Sequence, residues 1–93
     1  MFVGILTCSL QLAAISSLKD KRSIVKSLIG RLQSRFNISI AEVDHQDSKQ
    51  VACIGAAVVA NDKHFIDQQL DQILNFMRGD GRFYLAQVER EIV

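Results

Sequence analysis

The sequence predicts an α+β sandwich, a four-stranded antiparallel sheet carrying two helices on one face. Three observations lead there. Four segments read as strands, the first and last by alternation and the third as an apolar run, apolar residues recur at helical spacing in two others, and the segments follow one another as βαββαβ. With 93 residues, the chain is one domain, residues 1–93, and a chain this short buries about 60% of its unfolded surface. Its hydrophobic content of 48% is high for so small a domain, which points to apolar surface meeting a partner. No linker or low-complexity segment interrupts it, and no proline fixes a turn.

Each element has its own signal. In "FVGILTCSLQL", residues 2–12, Phe2, Gly4, Leu6, Cys8, Leu10 and Leu12 share one face of a strand. Ser16 and Ser17 offer N-caps for a helix over residues 18–36, whose core face is Val25, Leu28, Ile29, Leu32 and Phe36. Asn37 stops it. "ISIAEV" is a second strand, "DHQDSK" a turn, and "QVACIGAAVVA" a third strand that is apolar on both faces, as a central strand is. Asn61 is expected to cap a second helix, with Ile66, Leu70, Ile73, Leu74 and Met77 inward and Gly79 at its end. The fourth strand, "RFYLAQVEREIV", is expected to set Tyr84, Ala86 and Val88 against Gln87, Glu89 and Glu91.

Right-handed crossovers place both helices on the same side of the sheet. The result is the ferredoxin-like topology, with strand order 4-1-3-2 and the two most apolar strands in the middle. The face without helices is then expected to be apolar too. Depending on the phase of the third strand, it presents Ala52, Ile54, Ala56 and Val58 or Val51, Cys53, Ala57 and Val59, with Val3 and Ile5 beside them. A patch of that kind usually meets something, so a homodimer formed through the sheet face or edge is expected. The third strand has no aromatic residue, which excludes the base-stacking platform of an RNA-recognition motif.

Net charge is +1, but it is unevenly placed. Residues 18–36 hold six cations against Asp20, a local +5, and the five cations and nine acids elsewhere leave −4. Lys19, Arg22 and Lys26 fall on one stripe of the first helix, with Lys21 nearby, and these four are the candidate nucleic-acid or anion-binding residues. Opposite the core face lie only small residues, Ser23, Ser27, Gly30 and Ser34, a candidate partner-docking face. The competing reading is a solvated helix face with indifferent residues. Arg31 and Arg35, on the other shoulder, are expected to cover apolar surface with their stems.

"AEVDHQD" gathers Glu42, Asp44, His45 and Asp47 into a candidate polar turn site. Neighbouring residues of a strand point to opposite faces, so the four are not expected to hold a metal ion. His45 and Asp47 are expected to hydrogen-bond within the turn, and Glu42 or Asp44 to meet a basic residue of a partner subunit. The chain has no GxGxxG, GxxxxGK, GxSxG or HExxH signature, and its first loop lacks the glycine-rich anion cradle of an acylphosphatase. No catalytic residue, cofactor or metal is therefore expected. Cys8 and Cys53 are not spaced as a CxxC pair and read as reduced and buried, with a disulfide as the lesser alternative. "MFVGILTC" has neither the cationic start nor the apolar length of a lipoprotein signal, and no segment is long enough to cross a membrane. A cytoplasmic protein is expected.

The stretches "SLKDKRSIVKSL", "RFNISIAEVDHQD" and "AAVVANDK" resemble the YlxP-like family of small bacterial proteins, and the resemblance runs over essentially the whole chain. Lys19, Lys21, Arg22, Lys26, Glu42, Asp44, His45 and Asp47 match its motif positions. The resemblance implies the ferredoxin-like fold. Genes of the family often neighbour those for translation initiation and ribosome-binding factors, which implies a role around the ribosome or RNA. It implies no catalytic residue. The expected function is thus a non-enzymatic accessory protein associated with RNA or the ribosome. A homodimeric protein–protein adapter or a small-ligand-binding module is the alternative.

Overall fold

The computed structural model describes residues 1–13 and 15–93. Its elements are β1 (Phe2–Leu12), α1 (Leu18–Arg35), β2 (Ser39–Asp44), β3 (Val51–Ala60), α2 (Lys63–Arg78) and β4 (Phe83–Ile92). They form one antiparallel sheet in the order β2-β3-β1-β4, the ferredoxin-like arrangement. Among the described residues, no helix is long and apolar enough to cross a membrane.

Local chemistry sets the helix ends. Ser17 is the N-cap of α1, its hydroxyl accepting from the Asp20 amide at 3.1 Å, which satisfies one of the first-turn N–H groups. Phe36, expected inside α1, is its C-cap in an extended conformation. At α2 the cap is Asp62 rather than Asn61: Asp62 Oδ1 accepts from the His64 amide at 3.0 Å. Gly79 closes α2 as expected.

The core lies between the helices and one sheet face. Gly4, Leu6, Cys8, Leu10 and Leu12 of β1 point into it, together with Ala52, Ile54, Ala56 and Val58 of β3. The phase left open by the sequence is thereby decided. Val51, Cys53, Gly55, Ala57 and Val59 lie on the other face, paired across the sheet with Gln11, Ser9, Thr7, Ile5 and Val3. Gly4 lets α2 approach β1 closely, because a Cβ there would overlap Ile66 Cγ2.

Both edge strands carry a bulge. On β4, Ser9 pairs with Gln87 but Leu10 with Leu85, so Ala86 is the extra residue. The bulge overturns the expected alternation of β4. Phe83, Leu85 and Val88 face the helices, whereas Tyr84 and Ala86 are exposed. On β2, Glu42 pairs with Ile54 and Asp44 with Cys53, which leaves Val43 as the extra residue. Val43 lies over Gly55, where a Cβ would sit 3.0 Å from Val43 Cγ1.

Ion pairs brace the α2–β4 side. Arg90 reaches across to Asp71 at 2.7 Å and Asp67 at 3.0 Å, one turn apart on α2. Arg82 grips Asp80 through two nitrogens, with Nε–Oδ1 2.9 Å and Nη2–Oδ2 2.6 Å. These bonds hold the Asp80 carboxyl below the usual carboxylate range.

Candidate functional site

The two charged sequence motifs meet at one end of the domain. The inward face of α1 is a row of Lys21, Val25, Leu28 and Leu32, at i, i+4, i+7 and i+11. The inward face of β2 carries Ile40 and then Glu42. Lys21 and Glu42 are therefore driven together by the same periodicities that build the core.

Lys21 is 0% exposed and is the one buried charged residue among those described. Its Nζ donates to the His45 carbonyl and lies 2.9 Å from Glu42 Oε2. That approach falls outside hydrogen-bonding geometry, and Oε2 has no other donor among the described residues. Charge, rather than a directed hydrogen bond, holds the pair. Lys21 is thus removed from the candidate anion site. Its stem fills the core row and its ammonium is neutralised within the fold. Glu42 likewise meets a lysine of its own chain, not one of a partner subunit.

The lysine fixes the turn that follows β2. His45 has φ 59°, a left-handed conformation that costs a non-glycine residue about 1 kcal/mol. It is held on three sides. Asp44 Oδ1 accepts from the His45 amide at 2.7 Å, and the His45 carbonyl accepts both from Lys21 Nζ and from the Ser48 amide at 3.0 Å. Ser48 Oγ accepts in turn from the Val51 amide at 3.1 Å. Among the described residues, the side-chain bonds of the turn thus come from Asp44 and Ser48, not from His45 and Asp47 as expected. The His45 and Asp47 side chains are exposed. No three His, Cys, Asp or Glu residues gather as a metal site would need, among the described residues.

Lys19, Arg22 and Lys26 are exposed along α1, and no carboxylate lies within 4 Å of any of them among the described residues. On the small-residue face, Ser23, Gly30 and Ser34 are exposed. Ser27 is half-buried and accepts from Arg82 Nη1 at 3.4 Å, so the α2–β4 turn already occupies part of that face. Arg35 lays its guanidinium over the Phe76 ring at 4.6 Å, a cation–π contact covering apolar surface.

Cys8 and Cys53 are free thiols and both are buried. Burial pushes the Cys8 thiol up to about 11, and raises Cys53 as well. Neither is poised as a nucleophile. On the helix-free side of β1 and β3 there is no aromatic side chain, so no base-stacking platform exists there.

Lys21 and Glu42 were the residues whose role the sequence reading missed. The signal was present, since both continue an apolar row, one at helical and one at strand spacing.

Comparison with known proteins agrees with this architecture. The chain is 32% identical over 75 residues to "Uncharacterized protein YlxP" of Bacillus subtilis (strain 168), covering 81% of this chain and 82% of that protein. Among solved structures it resembles "De novo designed protein Foldit4", with TM-score 0.56 and 14% identity over 100% of this chain and 97% of that one. That likeness concerns the fold alone. A family model, "Protein of unknown function (DUF503)", matches residues 3–90, and the chain belongs to this YlxP-like family.

Proposed function

We propose that the protein is a non-enzymatic accessory factor that associates with RNA or the ribosome through the outer face of α1. One observation carries this reading. Of the six cations in α1, Lys21 alone is ion-paired, while Lys19, Arg22 and Lys26 stand exposed in one row with no carboxylate within 4 Å among the described residues. The row spans about 10 Å of helix axis. Cations left unpaired on a rigid element attract phosphate, and the core beneath them keeps their spacing fixed. Such contacts position a protein on a nucleic-acid backbone without reading its sequence.

Three neutralised phosphates give weak binding, with a log–log salt slope of about −2 on single strands. The test is titration of the purified protein against cellular RNA and against small and large ribosomal subunits at about 50 and 200 mM salt. A variant carrying Lys19→Glu, Arg22→Glu and Lys26→Glu runs in parallel. Binding that weakens with salt and disappears in the variant is expected. No binding by the folded protein at the lower salt refutes the proposal.

A further inference from the structure

The helices leave one face of the sheet uncovered, and its centre carries no charge. From β1 and β3 it presents Val3, Ile5, Ala57 and Val59, and the bulge on β2 adds Val43. Val59 is 60% exposed and Val43 52%. Between these ridges lies a shallow trough of about 350 Å³ lined by Ile5, Thr7, Ala41, Val43, Gly55 and Ala57. Ridge and trough share one surface, as a two-fold contact, which uses the same patch on both copies, requires.

We infer that the open sheet face is a homodimer interface, packed face to face around Ile5, Ala57 and Val59. The edges are poorly suited to pairing, because each carries a bulge, Val43 on β2 and Ala86 on β4, that breaks the regular ladder a second strand would need.

Charge selects both occupant and orientation. Glu89 and Glu91 line the β4 margin of this face, opposite Thr7 and Ile5. They repel phosphate, so neither nucleic acid nor an anionic lipid surface fits here. A second copy offers an uncharged apolar centre. A two-fold axis parallel to the strands lays β4 of one copy over β2 of the other, which sets Glu91 and Glu89 over the uncharged Ser39 and Ala41 and the one carboxylate on this face of β2, Asp44 beside Cys53, over the neutral Gln87. An axis across the strands would stack β4 on β4 and set the glutamates against each other.

Area agrees. Four strands about 4.8 Å apart and roughly 30 Å long give a face of roughly 600 Å², and two such faces bury about 1,200 Å², the lower bound for a stable interface. In this dimer both α1 helices lie on the outside, on opposite flanks. The inference does not depend on what α1 binds.

The experiment measures solution mass by sedimentation equilibrium over about 1 to 200 µM, the range in which an interface of this size dissociates. Wild type, Val59→Glu, Ala57→Glu and Lys26→Glu are compared, with far-UV circular dichroism and melting as checks on folding. Wild type and Lys26→Glu should reach twice the chain mass, while Val59→Glu and Ala57→Glu stay monomeric. Val59 is exposed enough that its variant folds even if Ala57→Glu does not. A wild-type monomer at the highest concentration, or a dimer that survives Val59→Glu, overturns the inference.

Discussion

Replacing Lys21 with methionine removes the ammonium and keeps the length of the stem. Glu42, 16% exposed at its side chain, then loses the one counter-charge within 4 Å of it among the described residues, and the His45 carbonyl keeps the Ser48 amide. Breaking a buried pair by deleting one partner costs about 3–5 kcal/mol. Partial exposure of Glu42 lets it turn toward water, so about 2–3 kcal/mol is expected. A domain of this size loses about 4–8 °C of Tm per kcal/mol, and Lys21→Met should therefore melt roughly 10–20 °C lower. The cause is separable from lost packing. Lys21→Met combined with Glu42→Leu replaces the pair with apolar groups and should regain most of the loss, since well-packed hydrophobic substitutes for buried ion pairs are often neutral or better. Thermal melts of the two single variants and the double complete the cycle. If Lys21→Met melts within about 3 °C of wild type, or if the double variant is the sum of the singles, the lysine does not tie α1 to the turn.

Other positions give independent checks. Gly4→Ala should destabilise by about 1–3 kcal/mol, because the new methyl overlaps Ile66, which is fully buried. A variant that melts higher, as alanine for glycine in an open strand would, refutes the close approach of α2. Gly30→Ala meets nothing within 4 Å and should stabilise α1 by about 1 kcal/mol without touching RNA binding. Loss of binding in that variant, with the stripe variant unaffected, would favour a partner docked on the small-residue face. Asp80→Asn removes the grip of Arg82. Because the folded pKa of Asp80 is depressed, its contribution is complete above the unfolded value near about 3.9 and disappears as pH falls through the folded value. The variant should therefore melt lower than wild type at neutral pH and closer to it at about pH 2.5; an equal gap at both refutes the pairing.

Much of this protein could be read from its sequence because one residue's neighbours along the chain decide its face. Alternation in β1 placed Leu6, Cys8 and Leu10 inward, and helical spacing did the same for Val25, Leu28 and Leu32. The charge asymmetry of α1 was visible for the same reason. The charge of Lys21 groups it with the exposed cations, but its position, one turn before Val25, belongs to the core row. Its partner was harder to identify. Glu42 is 21 residues away, and only the packing of α1 on β2 brings the two together.

Local pattern by itself determined the element order, the helix caps to within a residue, the central strands and the basic stripe. Each depends on periods of two or 3.6 residues and on backbone donors near helix ends. Tertiary structure decided the rest. A bulge shifts every later side chain of a strand to the other face, and a bulge is a property of two paired strands, so the phase of β4 and the position of Val43 could not be read from either strand alone. The face of β3 that meets the helices was likewise undetermined while both faces were apolar, until its register with β1 was set. Whether a lysine faces phosphate or a buried glutamate is a choice of the same kind, made where two distant segments pack together and water is excluded from between them.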